Sequence, residues 1–365
     1  MKICFLGPAN SAHIIKWSKW FSDHGHEIHV VSFTDGEVPG ATVHGLNSNV
    51  DVNKSDFSKI KYLLQGRKIK KIVEKINPDI VNVHYATSYG TAVALSGLHG
   101  YILSVWGSDV YDFPNKSPFH KMMLKYSLKK AQYLFSTSQA MADETHKYTD
   151  KEIAITPFGV DMNMFNPAKR HREDGLEGFI VGTVKTLKPK YGIDYLIKAV
   201  AIVKEEEPNI PIRVRIAGSG PNEEEYKKLA EELNVSVDWL GFISQEEAAV
   251  EWANMDIAIV PSTLDSESFG VSAVEAESCG VPVIVSDIPG LMEATKPGET
   301  SIVVPRKNEK ELANAILKLY NNPNLRKKMG SAGRQLVMKK YSLDGCFGNI
   351  NSIYAKFGGI KTHLS

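Results

Sequence analysis

Two glutamates that could share one ligand stand in the stretch SESFGVSAVEAESCG (266–280). The stretch follows an apolar run, DIAIVPS (256–262), which predicts a buried strand. The chain would then pass through a loop carrying Glu267 and enter a helix near Gly270, with Glu275 on that helix. Taken alone, the pair is equally open to two interpretations: ordinary solvated charge, or two contacts to one ligand.

The start of that helix predicts an anion site. The first N–H groups of a helix lack intrahelical partners, so those of about residues 269–272 could hold a phosphate. A carboxylate repels phosphate but accepts hydrogen bonds from paired hydroxyls, such as those of a ribose, and this suits Glu275. The other glutamate of the pair would then meet hydroxyls on the far side of the phosphates. We interpret Glu277, on the same helix, as a solvated charge.

The segment GTVKTLKPKYG (182–192) predicts a second anion-binding loop. It follows an apolar run, precedes a helical pattern, and places Lys185 and Lys190 where parallel strands end. Two cations there could neutralise a departing diphosphate. Lys188 lies in the same loop, and a solvated basic loop is the alternative interpretation.

Three further loops follow predicted strands. GPANSAH (7–13) is rich in small residues and opens a helix, so a ligand could approach the backbone at Gly7, with His13 either facing it or packing near the helix start. AGSGP could bring the backbone at Gly218 close to a nucleobase or phosphate, although turn formation alone explains it. In VWGSDV, Asp109 could accept hydrogen bonds from a hydroxylated ligand, but a helix-capping role is favoured. The first loop lacks the G-x-G-x-x-G pattern and no acidic residue ends the next strand, which argues against a dinucleotide site.

The elements that position these loops alternate from end to end. Short apolar runs predict strands, and amphipathic segments between them predict helices, which favours parallel sheets flanked by helices. The predicted strands are 2–7, 27–33, 79–84, 101–107, 133–138, 178–184, 212–218, 235–241, 256–262 and 281–287, and the clearest predicted helices are 12–25, 57–76, 120–131, 194–206 and 222–233. The polar segment NPAKRHREDGLEG (166–178) has the composition of a domain linker. We therefore predict an α/β protein of two doubly wound domains, 1–168 and 169–343, with a hinge near 166–176 and a last helix at about 344–360 that packs back on the first domain.

Composition excludes several classes of protein. The chain of 365 residues has a formal net charge of +1, so no overall positive field indicates nucleic-acid binding. Three separated cysteines give neither a disulfide framework nor a metal cluster and suit a reducing compartment. The first apolar run is too short for a signal peptide, and no run approaches the roughly 18 apolar residues of a membrane span. We expect a cytoplasmic enzyme.

Charge is uneven along the chain. Between residues 54 and 130 there are thirteen Lys or Arg against five Asp or Glu, with clusters at 54–71 and 121–130. Such basic amphipathic stretches suit an anionic membrane surface or a lipid-diphosphate acceptor. A solvated helix face explains them equally well.

Taken together, these motifs resemble the retaining glycosyltransferases of family 4, the glycogen synthase-like group 1 enzymes with the GT-B fold of two Rossmann-like domains. ESFGVSAVEAESCGVPVIVSD (267–287) is similar to the family's E-F-G…E…A-x-G-x-P-V-I-x-S block, including the spacing of its two glutamates. GTVKTLKPKYGIDYLIKA resembles the G-R-L…K-G-x-D-x-L-I segment, and FGVDMNMFNP (158–167) resembles N-G-V-D-x-x-x-F-x-P. AGSGP and WLGFIS match the G-x-G-P and F-L-G pieces, so the likeness covers nearly the whole chain.

The resemblance implies a role for each residue of the main block. Glu275 would bind the ribose hydroxyls of a nucleotide sugar, and Glu267 would contact hydroxyls of the transferred sugar. The backbone at Phe269, Gly270 and Val271 would hold the diphosphate. The second domain would therefore bind the donor, and the first would bind the acceptor.

The chain departs from the family pattern at three positions. Lys190 matches the family's lysine, but Lys185 stands where the family has arginine, which keeps the charge and loses the bidentate geometry. Tyr191 is an additional residue between the lysine and the glycine. Trp106 stands where many members have histidine, which leaves Asp109 as a weaker substitute contact.

The function implied is transfer of a sugar from a nucleotide-diphosphate sugar, by default a UDP-sugar, to a hydroxyl of a glycan or lipid-linked saccharide, in bacterial cell-surface polysaccharide or glycolipid synthesis. Gly7 and its neighbours would face the donor phosphate and the acceptor. We expect no cofactor and no metal, because two lysines are available and the chain has no Asp-x-Asp. Peripheral attachment to the inner face of the membrane is a further expectation. The alternatives are a nucleotide-sugar epimerase and a non-catalytic GT-B scaffold.

Overall fold

The computed structural model describes residues 1–46, 65–172 and 177–358. The chain divides into two compact units. The N-terminal unit comprises Met1–Pro157 together with the residues from Phe347 onward, and the C-terminal unit comprises Phe158–Cys346. In the described ranges, no helix is both long enough and apolar enough to cross a membrane.

The N-terminal unit is built on a parallel seven-stranded sheet. Its strands are β1 (Lys2–Leu6), β2 (Glu27–Ser32), β3 (Ala41–Gly45), β4 (Ile80–His84), β5 (Ile102–Val105), β6 (Tyr133–Ser136) and β7 (Ile153–Ile155). Its helices are α1 (Ala12–Asp23), α2 (Gly66–Ile76), α3 (Tyr89–Ser96), α4 (Ser108–Tyr111), α5 (Pro118–Lys130) and α6 (Gln139–His146). The strand order is β3-β2-β1-β4-β5-β6-β7, so successive strands are added on one side of β1 up to β3 and on its other side from β4 onward. Ligands of doubly wound sheets bind at such a switch point, beyond the carboxyl ends of the strands.

The C-terminal unit repeats this plan with a parallel six-stranded sheet. Its strands are β8 (Phe179–Val184), β9 (Ile212–Ala217), β10 (Val237–Gly241), β11 (Ile257–Val260), β12 (Val283–Ser286) and β13 (Ser301–Val304). Its helices are α7 (Ile193–Glu206), α8 (Glu223–Glu232), α9 (Gln245–Asn254), α10 (Val271–Ser278), α11 (Pro289–Ala294), α12 (Glu309–Tyr320) and α13 (Pro323–Lys340). The order β10-β9-β8-β11-β12-β13 reverses between β8 and β11, which places the loops after these two strands side by side.

Central strands are buried on both faces in each unit, as expected of parallel sheets covered by helices. Helix α1 packs on the sheet through the face that its periodicity predicts, with Ile14, Trp17 and Phe21 buried. The last helix, α14 (Leu343–Gly358), supplies its later residues to the N-terminal unit. There Phe347 lies 5.2 Å from Trp17 between ring centroids, and the buried Tyr354 hydroxyl accepts a hydrogen bond from the Asn82 amide at 2.6 Å.

The boundary between the units lies at Pro157/Phe158, before the expected 168/169. The intervening segment belongs to the C-terminal unit because its backbone and rings are held there: the Phe165 carbonyl accepts a hydrogen bond from Ser278 Oγ at 2.7 Å. The predicted linker is anchored in the same unit, since Arg172 pairs with Asp256 at 2.7 Å. Residues 173–176 of the predicted hinge lie outside the described residues.

The structure also contains elements that the sequence patterns do not predict. Strands β3 and β7 are the two edge strands of the N-terminal sheet, and β13 is an edge strand of the C-terminal sheet. All three are only three to five residues long, so each offers few apolar residues for a pattern. The predicted helix 57–76 is described only from Gly66, and its earlier residues fall outside the described ranges.

Candidate active site

A lysine and a glutamate from the two central strand ends of the C-terminal unit form an ion pair. Lys185, which follows β8, donates from Nζ to Oε1 of Glu267, in the loop after β11, at 2.8 Å. Both side chains are about nine-tenths buried, with exposed fractions of 12% and 10%. Lys185 also donates to Ser272 Oγ at 3.3 Å, and that hydroxyl donates to the Val184 carbonyl at 3.1 Å. The switch point of the sheet therefore holds a fixed cation beside a fixed carboxylate.

A tyrosine ring lies against both lysines of the basic loop. Tyr191 has the Nζ of Lys185 at 4.7 Å from its ring centroid and that of Lys190 at 4.8 Å, distances typical of cation–π contacts. The Lys190 carbonyl accepts a hydrogen bond from the Thr263 N–H at 2.8 Å, which ties the basic loop to the loop after β11. Burial and the nearby Glu267 raise the pKa of Tyr191, so its hydroxyl stays neutral at physiological pH.

Helix α10 begins at Val271, as the sequence indicates, and its N-cap residue offers no side-chain hydrogen bond to the first turn. Its N-cap is Gly270, with φ of 78°, a left-handed conformation that glycine adopts most easily. Phe269 is buried and makes edge-on ring contacts with Phe158 and Tyr341, which fix the approach to the helix. The first turn of α10 lies close to the ion pair, because Ser272 in that turn contacts Lys185.

Glu275 is on α10 and is nine-tenths buried, so solvated charge does not describe it. Its Oε2 accepts a hydrogen bond from the indole Nε1 of Trp252 at 3.3 Å, and Trp252 itself has no exposed surface. The same conclusion holds for Glu267, which is also buried. Both Glu267 and Glu275 are therefore buried side chains that accept hydrogen bonds, rather than surface charges.

Gly218 follows β9 and has a structural reason to be glycine. Its φ is 134°, and a Cβ there would lie 2.0 Å from the Lys185 carbonyl oxygen. The Lys185 N–H in turn bonds to the Ala217 carbonyl at 2.8 Å. The turn after β9 therefore packs directly against the basic loop (182–192) and supports its backbone at Lys185.

In the N-terminal unit, the structure places Gly7 and His13 at the carboxyl end of β1 and the first turn of α1. Gly7 donates to the Val31 carbonyl at 3.2 Å. The centroid of the His13 ring lies 5.4 Å from that of Trp106. Burial, with smaller contributions from Lys16 and His84, lowers the pKa of His13 to about 3, so its imidazole is neutral at physiological pH.

Asp109 has no exposed surface and binds backbone groups. Its carboxylate accepts hydrogen bonds from the N–H groups of Ala86 at 2.8 Å, Gly107 at 2.8 Å and Trp106 at 3.1 Å. Burial raises the pKa of Asp109 above its ordinary value, although these hydrogen bonds oppose the shift. The predicted helix-capping role is wrong, because the N-cap of α4 is Gly107 and Asp109 lies within the helix. Asp109 instead holds together the loops after β4 and β5, and this geometry also argues against contact with a hydroxylated ligand.

Glu277 corrects one expectation. We expected a solvated charge, but the side chain has no exposed surface, and neither carboxylate oxygen has a partner at hydrogen-bond distance in the described part of the chain. Burial raises the pKa of Glu277 to about 8, with a smaller opposing contribution from the Thr300 side chain. The reason is its place on α10, where the side chain turns toward Gly333 of α13.

Three contacts of the site escape sequence reasoning. Tyr191 looks like an insertion, Ser272 like a helix-turn residue and Trp252 like an ordinary core residue. Each acts through a partner far away in sequence or through ring geometry, which spacing does not reveal. Across residues 1–46, 65–172 and 177–358, no group of three His, Cys, Asp or Glu side chains is arranged to hold a metal ion.

Comparison with known proteins places these features in a family. Residues 168–336 match the family model "Glycosyl transferases group 1", and residues 2–138 match "Glycosyl transferase 4-like". An uncharacterized glycosyltransferase of Methanocaldococcus jannaschii is 27% identical over 336 residues, covering 90% of this chain and 89% of the relative. A D-inositol 3-phosphate glycosyltransferase of Pseudarthrobacter chlorophenolicus is 33% identical over 216 residues, covering 55% of this chain and 50% of the relative.

Solved structures share the fold at lower identity. Sucrose-phosphate synthase from Thermosynechococcus elongatus superposes with a TM-score of 0.83 at 19% identity, covering 99% of this chain and 100% of that one. HepE from Anabaena, in complex with UDP and glucose, gives a TM-score of 0.77 at 20% identity, covering 97% and 99%. These likenesses show the GT-B fold, in agreement with the two parallel-sheet units. The two family matches identify the chain as a member of the group 1 glycosyltransferases.

Proposed function

We propose that this protein transfers a sugar from a UDP-sugar to a hydroxyl of a glycan or lipid-linked saccharide, with retention of configuration at the anomeric carbon. One observation carries the proposal. Lys185, Lys190 and the start of α10 lie together at the switch point of the C-terminal unit, beside the buried acceptors Glu267 and Glu275. Three sources of positive potential suit a diphosphate, and two fixed carboxylates suit hydroxyls on either side of it.

The proposed chemistry breaks the bond between the anomeric carbon and the phosphate oxygen and forms a bond to the acceptor oxygen. The costly event is the development of negative charge on the departing diphosphate. The two lysines and the helix start would stabilise that charge, each already positioned before the donor arrives. The acceptor's proton would pass to the leaving phosphate oxygen on the same face of the sugar.

The carboxylates have separate tasks in this proposal. Glu275, held by Trp252, would accept the paired ribose hydroxyls. Glu267, held by Lys185, would accept hydroxyls of the transferred sugar and keep the lysine directed at the phosphates. UDP is favoured as the nucleotide because HepE, which shares the fold, is known in complex with UDP and with UDP-glucose.

The donor is tested by thermal shift with UDP-, GDP- and ADP-sugars. We expect a UDP-sugar to raise the melting temperature of the wild type, and we expect Lys190→Ala and Glu275→Ala to lose most of that shift. Glu231→Ala, at an exposed position on α8, is the matched control and should keep it. Equal shifts in all four proteins would refute the site assignment.

The acceptor and the stereochemistry need separate assays. Release of UDP would be followed with a lipid-linked saccharide, a soluble glycan and inositol 3-phosphate, the last because relatives carry that name. The anomeric configuration of the product, read by NMR, must match that of the donor. Interconversion of the donor sugar without acceptor would favour an epimerase instead, and nucleotide binding without any turnover would favour a scaffold.

A further inference from the structure

Helix α5 carries a row of exposed apolar side chains. Phe119, Met122 and Tyr126 are 58%, 60% and 37% exposed. With 3.6 residues per turn they project within about 60° of one another, so they form one stripe along the helix. The opposite side of α5 packs into the core through Leu124 and Leu128, both fully buried. Helix α5 therefore has two apolar faces, one packed in the core and one exposed.

The stripe continues onto the neighbouring helix α3. Leu95 is 52% exposed, and the Tyr126 hydroxyl donates to the adjacent Ala94 carbonyl at 3.4 Å. Single exposed apolar residues are ordinary on protein surfaces. Of the nine large hydrophobic side chains that are exposed in the described part of the chain, however, four lie on these two helices. Such clustering is typical of a surface that binds a membrane or another protein.

Lysines lie beside the stripe on α5. Helix α5 contains four exposed lysines and no acidic residue: Lys121, Lys125, Lys129 and Lys130. By helix geometry Lys130 lies at one edge of the stripe and Lys125 and Lys129 lie on its other side, whereas Lys121 is turned toward the packed side of the helix. Helix α2, which packs beside α3 where Gly66 meets the Ala92 carbonyl, adds further exposed basic residues: Arg67, Lys68, Lys71 and Lys75.

We propose that this basic-apolar face, formed by α5 with Leu95 and the exposed cations of α2, docks on an anionic lipid bilayer. An apolar stripe lined by lysines is the pattern of a helix lying in the membrane interface, where each lysine near the surface adds favourable attraction. Lysine stems can also bury along the acyl boundary while their ammonium groups reach the phosphates. A second copy of this chain suits the face poorly, because a symmetric contact would set like charges against each other.

The direction of α5 links the face to the proposed function, on which this part of the inference rests. The helix begins after the β5–α4 connection and ends just before β6, so it runs antiparallel to the strands. Its Phe119 end therefore lies at the carboxyl edge of the sheet, the same edge as Gly7 and the start of α1. Docking would hold the predicted acceptor loops close to lipid head groups.

The test is co-sedimentation with vesicles of phosphatidylcholine alone and of phosphatidylcholine containing about one-third phosphatidylglycerol. Two variants disrupt the face: Phe119→Ser/Met122→Ser and Lys125→Glu/Lys129→Glu. Two matched controls change exposed residues of the same types in the C-terminal unit: Phe242→Ser/Met338→Ser and Lys310→Glu/Lys328→Glu. A Met122→Trp variant reports whether this position enters the bilayer: because the chain already has five tryptophans, the blue shift is read from the difference between its emission and that of the wild type.

We expect salt-sensitive binding to the anionic vesicles, weakened at least tenfold in both face variants and unchanged in both controls. The thermal shift with UDP should be the same in all five proteins, which excludes misfolding. Absence of wild-type binding at low salt would overturn the proposal, and so would equal binding by the face variants. Self-association that the face variants abolish, without vesicle binding, would also overturn it. Vesicle binding by a protein that transfers no sugar would refute the proposed function and support the docking face.

Discussion

Replacing Glu277 by glutamine should change how the stability of the C-terminal unit depends on pH. The carboxyl is fully buried on α10, and burial raises its pKa from an ordinary value of 4.5 to about 8. The folded protein therefore holds a proton that the unfolded chain releases above pH 4.5. The stability contributed by this proton is complete below pH 4.5 and is lost as pH rises through about 8.

The size of the effect follows from the difference between the two pKa values. At 1.36 kcal/mol per pKa unit, the wild type should lose at most about 4–5 kcal/mol between pH 4.5 and pH 8.5. For a unit of this size, 1 kcal/mol shifts the melting temperature by roughly 2–4 °C, so the full effect is on the order of 10 °C. Glu277→Gln keeps the shape of the side chain and cannot ionise, so it should escape this loss.

The measurement is a series of thermal melts of wild type and Glu277→Gln from pH 5 to pH 8.5. The melting temperature of the variant, relative to wild type, should rise by roughly 10 °C across that range, whatever the offset at pH 5. Glu231→Gln, at an exposed helix position, should follow the wild type throughout. Parallel curves for wild type and Glu277→Gln would refute the reasoning, because they would mean that the buried carboxyl does not hold its proton in the folded protein.

Four other predictions address the site. Tyr191→Ala should weaken UDP binding about tenfold by calorimetry, because it removes the cation–π contacts to Lys185 and Lys190. Tyr191→Phe should bind UDP like wild type, and an equal loss of affinity in both variants would contradict the role of the ring. Trp252→Phe should weaken UDP-sugar binding by roughly fivefold to tenfold through loss of the hydrogen bond to Glu275, and unchanged affinity would assign that carboxylate elsewhere. Asp109→Ala should destabilise the N-terminal unit by about 2–4 kcal/mol in urea melts, since three backbone N–H groups lose their acceptor; wild-type stability with lost turnover would instead indicate a ligand contact. Turnover should survive EDTA, and strict dependence on added Mg²⁺ or Mn²⁺ would exclude the lysine-based mechanism.

The sequence was sufficient for the parts of the site that depend on one strand–loop–helix junction. Glu267 and Glu275 lie where their spacing predicts, because the strand end and the helix start are both encoded within the same short stretch. Lys185 and Lys190 likewise follow directly from the end of β8. Parallel topology then brings the two junctions together without further information.

What could not be predicted depends on contacts across the fold. The hydrogen bond from Trp252 to Glu275 joins two helices, and the burial of Glu277 depends on α13, which packs beside it. The same is true of the boundary at Pro157/Phe158, since the segment after it is held by Ser278. For Asp109 the sequence permits a role that the fold does not support. An aspartate at this position suits a ligand contact, but the side chain is buried and binds backbone N–H groups.

The ion pair between Lys185 and Glu267 has a consequence for selectivity among anions. Before a donor arrives, the lysine's charge is already compensated at 2.8 Å. A small anion such as inorganic phosphate gains little by displacing the carboxylate, because it brings no hydroxyls for Glu267 to accept. Under the proposed function, a sugar diphosphate would bring both partners at once, an anion for the lysine and hydroxyls for the glutamate. After transfer, the sugar would leave with the acceptor and the glutamate would bind the lysine again, which would weaken the hold on the nucleotide product and favour its release.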